Sequence, residues 1–457
     1  MSAPFKKNDD ITLEITGMSS EGSGVGRYEG FAVFVPFTLP GETVSAHIIK
    51  VTGSYAVGKL MEVIVPSPER VDPPCPVFKK CGGCTLMHMS YQAQLEYKRN
   101  AVRDALVRLG GFKDIEVKPV IGMDEPARYR NKGSFPFGNT DIGVTFGLYA
   151  QRSHRLVPTS DCIIERETAI RAAEAAADWA SANGIPAYDE VTKRGVIRHV
   201  VTRSCTGGAA VCVVTTGKLP HKDDLIERIK KAVPEVRSIV HNVNPDDTNA
   251  ICGKEDRLIY GSETVVQNMG GLDFEVSRES FLQVNPVQTE KLYSLAIEGL
   301  ELKGNETVAD VFCGIGTITL MLAKRAKSAV GIEYVEKAVD DAKRNAELNG
   351  IANADFICGA AETALPELIG KGRRFDAVTL DPPRKGADPE VLKAIAECGA
   401  EKIAYVSCSP ATLARDLKLL AGYGFRIVSV QPVDMFPMTS HVETVVTLFQ
   451  TNRQSEV

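Results

Sequence analysis

The sequence predicts a multidomain chain: an N-terminal β-barrel, a central α+β domain with a four-cysteine cluster, and a C-terminal doubly wound α/β domain. Three observations predict it. At 457 residues the chain is too long for one ordinary domain. Short strands broken by glycine turns fill the stretch from Asp10 to about Val65. From Thr307 onward the pattern becomes strand, turn, helix, repeated, which specifies a parallel sheet whose ligands bind at the carboxyl ends of its strands. The expected domains are 1–68, 69–265 and 266–457.

Composition narrows the classes. With 44% apolar and 24% charged residues the chain reads as ordinary soluble globular protein. No eighteen-residue apolar run occurs and residues 1–7 lack the apolar core of a signal peptide, so no membrane association and a cytoplasmic monomer are expected. Eleven cysteines without a secretion signal point to metal binding or catalysis rather than disulfides. A net charge of -5 argues against nonspecific nucleic-acid binding. Basic clusters at Arg128, Arg130 and Lys132, at Arg152, His154 and Arg155, and at Lys193, Arg194 and Arg198 still leave room for a shaped basic groove, although such clusters are often only solvated faces.

In the N-terminal region strands are read at 11–15, 31–35 and 43–49, with turns at 19–27 and 39–42. This length suits an oligonucleotide-binding type of barrel. The glycine-rich loop with Arg27 and the turn Pro40-Gly41-Glu42 resemble the TRAM domain, a small RNA-binding barrel attached to RNA-modifying enzymes. The plainer reading is a barrel that only packs on its neighbours.

A proline-rich linker over 66–76 delivers the chain to Cys75, Cys81 and Cys84, spaced C-x5-C-x2-C around Gly82 and Gly83. Three thiolates need a fourth ligand, and Cys162 in a polar turn is the candidate. Four cysteines satisfy a structural zinc or an iron–sulfur cluster; with only one C-x-x-C pair, iron–sulfur is favoured. A closed four-thiolate site has no open position and suits a structural role. A helix over 91–109, ended by Gly110-Gly111, carries Leu95, Val102, Leu106 and Leu109 as a packing stripe directed at the C-terminal domain. Further helices are expected over 169–183 and 223–232, and neighbouring strands over 196–203 and 210–216. Cys205, Cys212 and Cys252 lack ligand spacing and read as core residues.

The C-terminal domain holds the chemistry. A strand ends at Asp310-Val311-Phe312, a tight turn follows at Cys313-Gly314-Ile315-Gly316-Thr317, and the next strand ends at Glu333, placed to hold ribose hydroxyls. A G-x-G-x-T turn beside the carboxylate of Asp310 suits a cationic sulfonium better than a pyrophosphate, so S-adenosyl-L-methionine is favoured over a dinucleotide. Gln283 and Asn285, two apart in Phe281-x-Gln283-x-Asn285-Pro286, would face one way in an extended segment and grip a cofactor or a base edge. The alternative is that Asn285 caps a helix.

Near the C-terminus lies 404–410, in which apolar residues lead into Cys408 and Pro410 ends the strand. Alone, Cys408 reads as a buried core cysteine. Its companions at the same sheet edge, Asp381-Pro382-Pro383-Arg384 and His441-Val442-Glu443, suggest a nucleophile. Thiolate addition to C6 of uracil makes C5 nucleophilic towards a sulfonium methyl, and a base must then remove the C5 proton. Glu443 is the candidate base and His441 the runner-up. Arg384 is expected to depress the Cys408 pKa. Absence of a second cysteine beside Asp381 favours uracil over cytosine.

Together, Phe281-x-Gln283-x-Asn285, the Gly314/Gly316 turn, Asp381-Pro382-Pro383-Arg384, Ser407-Cys408-Ser409-Pro410 and His441-Val442-Glu443 resemble the RNA (uracil-5-)-methyltransferase family over about residues 10–449. The barrel and four cysteines resemble its 23S rRNA 5-methyluridine branch, which carries a TRAM domain and a [4Fe-4S] cluster. The resemblance implies a class I S-adenosylmethionine-dependent methyltransferase domain, Cys408 as nucleophile, Glu443 as general base, and Gln283, Phe312, Glu333 and Asp381 at the donor site. It also implies a [4Fe-4S] cluster on Cys75, Cys81, Cys84 and Cys162, and 23S rRNA as the partner from which a uridine is flipped. Thr317 departs from relatives that carry Asn after the second glycine. Two rivals stay open: a tRNA 5-methyluridine enzyme, whose branch is expected to lack the barrel and cluster, and a donor-binding RNA chaperone whose cysteine is only core.

Overall fold

The computed structural model describes residues 3–451. Strands β1 (Asp10–Met18), β2 (Ser23–Tyr28), β3 (Phe31–Pro36), β4 (Thr43–Val51) and β5 (Tyr55–Val65) close into a barrel in the order β1-β2-β3-β5-β4. Alternation explains the closure: Ile11, Leu13, Ile15, Val33, Val35, Val44, Ala46 and Ile48 all point inward and are buried. The linker is anchored to this barrel by buried Glu42, which accepts hydrogen bonds from Arg70 Nε at 2.5 Å and Arg70 Nη2 at 2.7 Å.

Helix α1 (Tyr91–Ala105) is capped by Ser90, whose hydroxyl accepts from the Ala93 N–H. It runs on as a π-helical turn, Leu106–Gly110, and stops at Gly111 with φ +84°. Val102 and Leu106 are buried in the core of the C-terminal domain, whereas Leu109, expected on the same stripe, is 56% exposed. The wider π turn rotates it off the packed face. Two polar residues, Gln94 and Lys98, are buried instead.

The central region is built on a seven-stranded sheet spanning 132–261, covered by helices Glu167–Ala182 and Lys222–Ala232. The sheet is largely antiparallel. Alanines along Glu167–Ala182 let that helix lie close to the sheet beside fully buried Trp179. A hairpin of Thr264–Met269 and Leu272–Ser277 then leaves this core and packs Met269, Phe274 and Val276 against Ile318 and Met321 of the C-terminal domain.

That domain contains a seven-stranded sheet in the order Ala354–Cys358, Ser328–Glu333, Thr307–Val311, Ala377–Leu380, Lys402–Ser407, Glu443–Gln450, Phe425–Val433. The first five strands are parallel, and Glu443–Gln450 is inserted antiparallel to both neighbours between Lys402–Ser407 and Phe425–Val433. Register builds the site. Ser407 pairs with Thr444, so the next step on each strand sets Cys408 opposite Glu443. Val311 pairs with Ile332 and Leu380, which brings Phe312, Glu333 and Asp381 to the same carboxyl edge. Among the described residues no helix is long and apolar enough to cross a membrane.

Candidate active site

A cleft of about 1320 Å³ opens along this edge. Gln283, Phe312, Glu333, Asp381, Cys408 and Glu443 all line it, with Arg384 and His441. The glycine turn shapes its floor. Gly314 has φ +54° and Gly316, which starts the helix Thr317–Ala323, has φ +83°. A Cβ on Gly316 would lie 3.0 Å from Ala342 and from the Phe356 ring, so only glycine fits. Glu333 is fixed by its own backbone surroundings: Gly314 N–H donates to Oε2 at 3.1 Å and Val335 N–H to Oε1 at 3.0 Å. Each oxygen retains a lone pair for a hydroxyl.

Two expectations are corrected here. Asp310 does not face the cleft; its oxygens accept from Thr319 Oγ1 at 2.6 Å and Thr379 Oγ1 at 2.8 Å, and it braces the turn from within the sheet. Asn285 does not grip a ligand beside Gln283. It caps the helix Pro286–Gly299, accepting from Gln288 N–H at 3.3 Å, and its amide donates to the Met435 carbonyl. Those two bonds commit the Asn285 amide to the helix start and the Met435 backbone, leaving Gln283 alone at the cleft.

Cys408 directly follows the strand Lys402–Ser407 and precedes the helix Pro410–Gly422, which Ser409 caps. Burial pushes its thiol up to about 11, the carboxyls of Glu443 and Asp381 push the same way, and Arg384 only partly opposes them. The expected depression by Arg384 is therefore overturned: burial, with two acids beside it, outweighs one exposed guanidinium. Glu443 is 2% exposed, and its Oε2 has no hydrogen-bond partner. Burial holds its carboxyl well above the usual range, with Asp381 adding to this and Arg384 opposing. Asp381 is raised to about 7 by burial and then by Asp310. His441 is lowered by burial and by the charges of Arg384 and Lys98.

Sequence reasoning missed two lining residues, Tyr293 and Tyr334, and gave no role to a third, Phe281 of the Phe281-x-Gln283-x-Asn285 motif. Tyr293, buried on the helix Pro286–Gly299, has a hydroxyl held far above its usual pKa by burial and then by Asp381 and Glu443. Phe281 and Tyr334, each 72% exposed at the cleft rim, are large apolar faces of the kind a bound ring covers. Of the two that were missed, Tyr334, directly after Glu333, had a signal in the sequence.

A second groove, of about 1210 Å³, also reaches Cys408. Ser19 and Pro40 of the barrel, Tyr97 and Asn100 of α1, and Ser409 line it; Arg384, Cys408 and His441 border both spaces. Tyr97 Oη donates to the Ser19 carbonyl at 2.8 Å, joining its two walls.

The four expected ligand cysteines come together beside the cleft. Burial raises Cys84 far above its usual value, and Cys162, Cys81 and Cys75 raise it further; burial brings Cys162 to about 11. Only glycine fits at 82, where a Cβ would stand 2.9 Å from the Gln151 backbone. Among the described residues no three His, Cys, Asp or Glu side chains converge as tightly as one ion requires. An iron–sulfur cluster holds its cysteines further apart than zinc, whose ligand sulfurs bind at about 2.3 Å. The Arg130 guanidinium opposes part of the rise at Cys84.

A family model described as tRNA (Uracil-5-)-methyltransferase matches residues 252–451, and a TRAM domain model matches residues 4–61. An uncharacterized RNA methyltransferase of Halalkalibacterium halodurans is 47% identical, covering 98% of this chain and 98% of its own. One from Clostridium tetani is 46% identical over 97% of each. Among solved structures, the Pyrococcus abyssi tRNA (uracil-54, C5)-methyltransferase in complex with S-adenosyl-L-homocysteine gives a TM-score of 0.77 at 28% identity, covering 96% of this chain and 100% of that one.

Proposed function

The chain belongs to the RNA (uracil-5-)-methyltransferase family, and we propose that it methylates C5 of a uridine in 23S rRNA through a covalent Cys408–C6 intermediate. The observation that carries this reading is the register that sets Cys408 opposite Glu443 between two clefts. S-adenosyl-L-methionine, when bound, supplies an electrophilic methyl on a cationic sulfur. Gln283, Phe312, Glu333 and Asp381 would hold it, with Glu333 on the ribose hydroxyls and Asp381 nearest the positive charge. The RNA base would enter from the groove between barrel and α1, flipped out of its stack.

Cys408 Sγ bonds to C6 of the uracil and makes C5 electron-rich. Cys408 is released again as the thiolate once C5, which takes the methyl as the bond to the donor sulfur breaks and neutral S-adenosyl-L-homocysteine departs, loses its proton to Glu443 and the C5–C6 double bond re-forms. Glu443 suits this better than His441, since its free oxygen is buried within the cleft while the histidine is exposed. Without the donor the thiol is held protonated by burial and, after it, by its acidic neighbours. A sulfonium beside Asp381 reverses that local field, so the donor binds before the nucleophile is activated.

Cys75, Cys81, Cys84 and Cys162 would hold a [4Fe-4S] cluster in a structural role. For the target, a second reading has specific support: the solved relative that aligns over 96% of this chain is a tRNA enzyme. So broad an alignment takes in the barrel, which therefore does not separate the two branches as expected. The test is to incubate the protein and methyl-labelled donor with RNA from a strain lacking it. Label recovered as 5-methyluridine in 23S rRNA supports the first reading and label in tRNA the second; label in 5-methylcytidine, or none, contradicts both.

A further inference from the structure

The segment 434–441, which joins the strand Phe425–Val433 to Glu443–Gln450 and carries His441 up to Glu443, has little regular structure of its own. Other parts of the chain fix it. From α1, Lys98 pairs with Asp434 at 2.5 Å, both fully buried, and Gln94 Oε1 accepts from the Met438 N–H at 3.0 Å. From the cysteine loop, the N–H groups of Thr85 and Leu86 both donate to the Met438 carbonyl at 3.0 Å. Thr85 Oγ1 then accepts from the Ser440 N–H at 3.1 Å. Met438 is held at φ +69°, a left-handed conformation that a non-glycine residue keeps only when its surroundings impose it. The barrel closes the junction: a Cβ on Gly22 would stand 3.1 Å from Leu86, 3.3 Å from Thr85 Oγ1 and 3.5 Å from Ser440 Cβ.

We infer that Thr85 is a positioning residue for the reaction: through the Met438 carbonyl and the Ser440 N–H it fixes the segment that delivers His441 and Glu443 to Cys408. Thr85 touches neither cleft. It follows Cys84 directly and packs beneath the barrel turn, so the cysteine centre, the barrel and the catalytic edge meet on one side chain. The inference rests on Glu443 and Cys408 acting as proposed above.

The test compares wild type, Thr85→Val, which keeps the shape and removes the acceptor, and Thr85→Ser, which restores it. Amide hydrogen exchange of Ser440, measured without donor or RNA, is expected to accelerate roughly fivefold in Thr85→Val. Its kcat for methyl transfer falls roughly tenfold while the KM for donor is unchanged, and Thr85→Ser recovers both. Wild-type exchange in Thr85→Val overturns the inference, as does faster exchange with wild-type kcat. An inactive wild type would overturn the underlying reading instead; the exchange comparison needs no turnover and separates the two failures.

Discussion

At the scale of the residue, the site is a group of acids gathered around a thiol, and its protonation follows from burial more than from any one partner. Asp310 and Asp381 keep their protons to about 6 and about 7, against 3.8 for an unperturbed carboxyl. A raised carboxyl favours the folded state fully below about pH 4 and loses that contribution as the pH rises through the folded value. Melting temperatures of the donor-free protein should therefore fall between about pH 4 and pH 7, and less so in Asp381→Asn. Binding of the cationic donor should strengthen over the same interval as Asp381 ionises. S-adenosyl-L-homocysteine, lacking the sulfonium, should show little of this; equal pH dependence for the two ligands would contradict the role given to Asp381. Glu443→Gln removes the base and leaves the nucleophile. It should lower turnover by about 10²- to 10⁴-fold and accumulate a methylated RNA–protein adduct on ordinary uridine substrate, seen by denaturing electrophoresis.

At the scale of the element, the two strand ends that matter are brought together by one antiparallel insertion, and the turn before Thr317–Ala323 is shaped by glycine. Gly316→Ala places a Cβ 3.0 Å from Ala342 in a left-handed backbone. A loss of about 1–3 kcal/mol in stability, with weakened donor binding by calorimetry, is expected. The parallel sheet, this turn, Glu333 and Asp381 were legible because they lie on a short local pattern of strand, turn and acid. Cys408 and Glu443 were legible through their motif neighbours. The rest depended on partners far off in sequence: Lys98 is buried against Asp434, Gln94 against Met438, and Tyr293 against the acids of the cleft. A buried lysine on a helix reads as a solvated one until its carboxylate is placed. Leu109 and Asn285 were misread for local reasons, a π turn in one case and a helix start in the other.

At the scale of the whole molecule, barrel, cysteine loop and α1 converge on the same edge of the catalytic sheet, and Cys408 sits where the groove between barrel and α1 meets the donor cleft. If the four cysteines hold a cluster, anaerobically purified protein should contain about four irons per chain, and Cys81→Ser and Cys162→Ser should each lose the visible absorption. Persistence of that absorption in both variants would contradict the ligand set. The account as a whole stands on the bond between Cys408 and C6 of the base. RNA carrying 5-fluorouridine, which offers no C5 proton to remove, should trap that bond in the presence of donor, and mass spectrometry of the digested complex should find the nucleotide on the Cys408 peptide. Wild type should give this adduct and Cys408→Ala none; no adduct from wild type, or an undiminished one from Cys408→Ala, would contradict the mechanism.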